Sequence, residues 1–179
     1  MSLTECNYTD NKSNSYTIDM NYTECEIPNN FRNAIASIYI KNSLTIPDNF
    51  CKSIGSLVSL EIENGPNSIG NYAFYGTSLE NVLLPNSVRS IGDYSFVDIG
   101  SLQYINLSCN LESIGQYALK GAGSLTQVVI PSSVVNIGMN FLKSTKAIPF
   151  FYYQAKCKLT ENASLNLEYN SNVIINSNF

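Results

Sequence analysis

Glu61 and Glu63 are the first side chains whose types and spacing could do chemistry. Two carboxylates separated by one residue on an extended segment face the same way, and such a pair can ligate calcium or divide acid and base duties in a hydrolysis. Lys41 falls in the row beside Glu63 once the chain is aligned on itself. The plainer reading is therefore a solvated face with a cross-strand ion pair, worth roughly 0–1 kcal/mol. The rest of the catalytic repertoire is thin. The chain has no histidine, which removes the commonest general base and metal ligand. It has no G-x-S-x-G, no G-x-x-x-x-G-K-S/T and no D-x-D-x-D-G, and Gly121-Ala122-Gly123 is only a fragment of a dinucleotide loop. Cys6, Cys25, Cys51, Cys109 and Cys157 form an odd set without C-x-x-C, which gives no support for a zinc ribbon or a dithiol redox centre. They read as scattered free thiols, or as a set in which Cys6 and Cys25 close a loop near the start. No enzymatic activity, cofactor or metal is expected.

Charge narrows the partners. Ten Lys plus Arg against fourteen Asp plus Glu leave a net charge of −4 over 179 residues, the wrong field for nucleic acid or an anionic membrane surface. No apolar run approaches the roughly 18 residues needed to span a bilayer. The start, Met1 to Cys6, is polar and lacks the layout of a secretory signal, so the protein either stays inside the cell or is shown downstream of a removed leader.

What remains is binding, and the residues that could bind are placed by a repeat. Leu57-x-x-Leu60-x-Ile62 recurs as Leu79-x-x-Val82-x-Leu84, Leu102-x-x-Ile105-x-Leu107, Leu125-x-x-Val128-x-Ile130 and Ile148-x-x-Phe151-x-Tyr153, at intervals of 22 or 23 residues. An upstream copy is Ile35-x-x-Ile38-x-Ile40. This period and core predict a leucine-rich-repeat solenoid of about six rungs, with a parallel strand ladder. One such unit cannot bury its apolar face alone, so neighbours must stack.

Counted from the first strand residue, apolar side chains recur at +9 (Leu44, Val88, Leu111, Val134), at +12 (Ile69, Ile91, Ile114, Ile137) and at +17 (Phe74, Phe96, Leu119, Leu142). Gly70, Gly92, Gly115 and Gly138 follow the isoleucines, and imply either positive φ or a crossing too tight for a Cβ. Asn71 and Asp93 come next as expected N-caps of a short helical turn. Three units follow from the pattern: residues 1–34 as an N-terminal cap with a degenerate first repeat, 35–155 as the solenoid, and 156–179 as a C-terminal cap. A cap is required because an open strand edge recruits other chains.

The phrases Ser68-Ile69-Gly70-Asn71-Tyr72-Ala73-Phe74, Leu84-Pro85-Asn86-Ser87-Val88-Arg89-Ser90-Ile91-Gly92-Asp93-Tyr94-Ser95-Phe96 and Ile130-Pro131-Ser132-Ser133-Val134-Val135-Asn136-Ile137-Gly138 closely resemble the BspA-like leucine-rich repeat. The match runs over about residues 44–154. It departs where the family cysteine gives way to Ile99, Ala122 and Thr145, and near Thr77 the repeat is one residue short. The resemblance implies a surface or secreted protein with an adhesive, non-catalytic role toward a protein partner such as a host cell-surface or matrix protein.

The outward strand positions tile the concave face of such a solenoid. At +2 they are Ser37, Ser59, Asn81, Tyr104, Gln127 and Phe150, and at +4 Tyr39, Glu61, Leu83, Asn106, Val129 and Tyr152. Leu83, Tyr104, Asn106, Val129, Phe150 and Tyr152 form the candidate binding patch, since exposed aromatics anchor interfaces. A C-terminal cap folded over them is the structural alternative. A second row, Tyr72, Tyr94 and Tyr117 followed by Asn140, is either a stacking platform or a shield for the turn beneath it. Two functions remain: an interaction module for a protein or glycan, and a self-assembling structural solenoid.

Overall fold

The computed structural model describes residues 4–10, 15–20, 27, 32–41 and 43–151. Its strands are β1 (Thr4–Asp10), β2 (Ser15–Met20), β3 (Ile35–Lys41), β4 (Ser59–Ile62), β5 (Ser68–Ile69), β6 (Asn81–Leu83), β7 (Ser90–Ile91), β8 (Tyr104–Asn106), β9 (Ser113–Ile114), β10 (Gln127–Ile130), β11 (Asn136–Ile137) and β12 (Ile148–Phe151). The chain winds as a parallel β-solenoid with no helix among the described residues.

One side is the ladder that the L-x-x-L-x-L copies predict. β3 pairs with β4, β6 with β8 and β10 with β12, all parallel. A bond from Glu80 N–H to the Val58 carbonyl (3.3 Å) links the β4 and β6 turns, and β10 lies beside β8. The second side is a four-stranded parallel sheet in the order β11-β9-β7-β5, extended by a bridge from Ile69 to Ile46. The third side is a stack of turns bonded turn to turn through alternate N–H groups: Tyr72 to the Asp93 carbonyl (3.0 Å), Phe74 to Ser95 (2.8 Å) and Gly76 to Val97 (2.9 Å). Tyr72 and Gly76 take positive φ along that path, 55° and 64°. Ahead of the coil, β1 and β2 make an antiparallel hairpin, and β1 runs antiparallel along β3 on the side away from β4.

The core fills the space between the three sides. From the first come Leu60, Val82, Ile105 and Val128, from the second Ile46, Ile69, Ile91 and Ile114, and from the third Phe74, Phe96 and Leu119, all buried. Two adjacent positions share the volume of each turn, and the bulk passes from the first to the second after Phe50 and then stays there. Phe50 beside Cys51 is followed by Ala73 beside Phe74, then Ser95 beside Phe96, then Ala118 beside Leu119. Phe50 meets Phe74 edge to face at 6.1 Å, and Phe74 stacks on Phe96 at 5.2 Å. The three residues standing in for the family cysteine stay inside or nearly so: Ile99 and Ala122 are buried and Thr145 is half-buried. The residue missing near Thr77 belongs to the turn that Gly55, Gly100 and Gly123 occupy in other repeats.

Four expectations are corrected. Leu44 is 65% exposed, because only eleven positions separate Ile35 from Ile46 where twelve separate Leu57 from Ile69; Ser43 takes the inward place and is buried. Asn71 and Asp93 cap no helix. The Asn71 amide oxygen accepts the Asp93 N–H one turn on (2.8 Å), as Asp48 does for Asn71 (2.7 Å) and Asp93 for Gln116 (2.9 Å). The side chains thus form a ladder along the axis. The last strand is shifted by two residues: Val128 pairs with Pro149 and Val129 with Phe150. Finally, Cys109 is disulfide-bonded, so the cysteines are not all thiols.

The glycine alternative resolves in favour of close approach. Gly70, Gly92, Gly115 and Gly138 are not among the residues with positive φ. A Cβ on Gly115 would lie 2.5 Å from the Asp93 backbone nitrogen.

Candidate interaction surface

On the first side, alternation with a period of two sends one set of strand residues inward and leaves the other in solvent. β4 and β6 follow it strictly, with Ser59, Glu61, Asn81 and Leu83 exposed and Leu60, Ile62 and Val82 buried. The outward positions of β8 and β10 are Tyr104 and Gln127, both exposed, then Asn106 and Val129, both half-buried. Leu83 is 49% and Tyr104 43% exposed, two of the few large apolar side chains left open.

Registry brings five of the six candidate residues onto adjoining strands. Leu83 pairs with Asn106 and Asn81 with Tyr104, which places Tyr104 diagonally from Leu83, and Val129 lies on β10, the next strand after β8. Phe150 pairs with Val129 instead of Gln127. It therefore keeps its parity but moves from the row containing Tyr104 to the row containing Asn106 and Val129. Tyr152 lies outside the described residues.

The N-terminal end of this surface is acidic. Glu61, Glu63 and Glu80 are exposed, and Tyr39, paired with Glu61 across β3 and β4, donates a hydrogen bond to the Glu63 carboxylate. That bond, followed by desolvation and the charges of Glu63 and Glu61, pushes the Tyr39 phenol up to about 12. Among the described residues no group of His, Cys, Asp and Glu could hold a metal ion. The pairing of Tyr39 with Glu63 was the signal available in the sequence: they stand in neighbouring columns of adjacent repeats.

The tyrosine row lies on the third side. Tyr72 and Tyr94 stack with centroids 4.8 Å apart and parallel planes, and Tyr94 and Tyr117 stack at 5.1 Å and 15°. Lys52 Nζ lies 4.7 Å over the Tyr72 ring, and Lys120 and Lys143 lie 5.7 and 5.9 Å from the Tyr117 ring. With the ring faces engaged in this way, the row does not offer the flat platform that sugar stacking requires. The lysines were not singled out in the sequence, although Lys52, Lys120 and Lys143 share one place in the repeat.

The sequence profile of the BspA type leucine rich repeat region matches residues 44–172 in six copies. No curated protein matches the chain. Solved structures share its fold. A leucine-rich repeat protein of T. pallidum superposes with a TM-score of 0.58 at 23% identity, over 70% of this chain and 66% of that one. The pneumococcal vaccine antigen PcpA gives 0.59 at 22%, over 73% and 34%. A leucine-rich repeat protein from Bacteroides ovatus gives 0.59 at 22%, over 82% and 39%. The chain thus spans less than two thirds of each of these longer proteins. No helix among the described residues is long and apolar enough to cross a membrane.

Proposed function

This chain belongs to the BspA-type leucine-rich repeat family, and from that membership we propose that it is a non-enzymatic, adhesin-like module that holds a protein partner on the outward face of its strand ladder. The observation that carries the reading is the exposure of Leu83 and Tyr104 on paired neighbouring strands, with Asn106 and Val129 beside them. An aliphatic and an aromatic group held on a rigid ladder lose little entropy when a partner covers them. The acidic end formed by Glu61, Glu63 and Glu80 favours a partner that carries basic groups next to its apolar anchor. A cell-surface or matrix protein of a host suits an adhesive family, and a disulfide at Cys109 suits an oxidising compartment.

A crosslinking pull-down from host-cell and matrix extract tests this, with wild type beside a folded Leu83→Ala, Tyr104→Ala variant. Each truncation of an anchor is expected to cost about 2 kcal/mol, roughly thirtyfold in affinity. A partner retained by wild type and lost by the variant supports the reading. Capture of nothing, or only of further copies of the chain, overturns it in favour of a self-assembling solenoid.

A further inference from the structure

Tyr72, Tyr94 and Tyr117 occupy one place in three successive turns, and all three take positive φ, 55°, 56° and 55°. That conformation is uncomfortable for a bulky side chain and easier for asparagine. Asparagine is what the flanking turns carry there, Asn49 at 58° and Asn140 at 56°. The backbone therefore gives no reason for tyrosine at the middle three, so the reason lies in the rings. They are half-buried, face to face at 4.8 and 5.1 Å, and held in line by Lys52 at one end and Lys120 and Lys143 at the other.

Phenols stacked at van der Waals distance, with their edges open to solvent, are arranged for coupling after one-electron oxidation. We propose that the Tyr72–Tyr94–Tyr117 stack is a site of oxidative modification, at which hydrogen peroxide acting through a haem peroxidase joins neighbouring rings into dityrosine. Each of two tyrosines gives up one electron and its phenolic proton. The two phenoxyl radicals then form a carbon–carbon bond between ring positions ortho to oxygen. Each ring regains aromaticity when the proton on the bonded carbon moves to oxygen, so the pair has lost two hydrogens in all. The two electrons and two protons convert one hydrogen peroxide to two waters. Burial, followed by the charges that Tyr72 and Tyr117 would carry once ionised and that of Asp93, pushes the Tyr94 phenol up, so the ring enters the oxidation with its proton in place. Tyr94 takes part in both contacts and is common to either cross-link. The product ties adjacent turns covalently and closes a loop of one repeat, which restricts the unfolded chain.

The test oxidises the full chain at high dilution with a haem peroxidase and hydrogen peroxide, isolates the monomer, and maps linked peptides by mass after proteolysis. Wild-type monomer is expected to gain dityrosine fluorescence and a link from Tyr94 to Tyr72 or Tyr117. Tyr94→Phe keeps a ring in the stack without an oxidisable hydroxyl, and is expected to lose that fluorescence. Tyr104→Phe, on the strand face, is expected to keep it. Monomer without dityrosine, links that map to other tyrosines, or a Tyr94→Phe variant that fluoresces like wild type would each overturn the proposal.

Discussion

Ser95 is wholly buried, and its hydroxyl meets no hydrogen-bond partner among the described residues. The same place in the adjoining turns holds Ala73 and Ala118, also wholly buried. An unsatisfied buried polar group costs about 1–3 kcal/mol, so Ser95→Ala is expected to stabilise the fold by about 1 kcal/mol, read as a higher urea midpoint; a lower midpoint would show that the hydroxyl is satisfied after all. Tyr39 gives a prediction in pH. Its hydrogen bond to Glu63 leads the causes that raise the phenol from 10.0 to about 12, so the folded state holds this proton more tightly than the unfolded chain does. The stabilisation is complete below pH 10.0 and drains away as pH rises toward about 12. Wild type is therefore expected to lose stability across that window relative to Tyr39→Phe, which has nothing to titrate there. A difference between the two that stays constant across it would remove the assignment. Neither feature was legible from residue type alone, because whether Ser95 or Tyr39 finds a partner depends on the neighbouring turn, and the Glu63 that Tyr39 meets lies 24 positions on.

Among elements, the period located the strands of the first side, and it located the isoleucines of the second side as buried positions and not as strands, since burial repeats as the sequence does. Frame was harder to read, because a turn can lose a residue while the ladder on either side stays in register. One omission before Ile46 put Leu44 in solvent, and the slip before β12 moved Phe150 beside Val129. The same limit applied to Asn71 and Asp93, whose residue types suit a helix cap and an axial ladder equally. The ladder predicts that Asn71→Ala, which strips the acceptor from the Asp93 N–H, costs about 0.5–1.5 kcal/mol in urea denaturation. The glycine column beside it predicts a sharper effect. In Gly115→Ala the new methyl meets the Asp93 nitrogen and the Gly92 backbone at 2.5 Å, and backbone cannot swing aside as a side chain can. A loss of about 1–3 kcal/mol is expected, by the cost of overpacking; an unchanged midpoint would mean that the turns can slide apart.

At the scale of the molecule the sequence was most legible, because a solenoid is specified by repetition and each turn rests only on its neighbours. The candidate surface was half legible. Parity put Leu83, Tyr104, Asn106 and Val129 on one face, while their relative placement needed the strand registry. The same nearest-neighbour logic makes the surface depend on core residues that never touch a partner. Phe96 is wholly buried, stacks on Phe74, and lies in the turn between β6, which carries Leu83, and β8, which carries Tyr104. Phe96→Ala is expected to cost about 3–5 kcal/mol. Because coupling passes from turn to turn, that loss should fall first on the amides of Phe74 and Phe96, whose N–H groups bond to the Ser95 and Ala118 carbonyls. Hydrogen exchange should then show protection lost around β6 to β9 and retained along β3 and β4, with partner capture weakened although no contact residue has changed. If protection instead falls equally from β3 to β11, the coil unfolds as one unit, and the apolar patch is held by the whole stack and not by its adjoining turns.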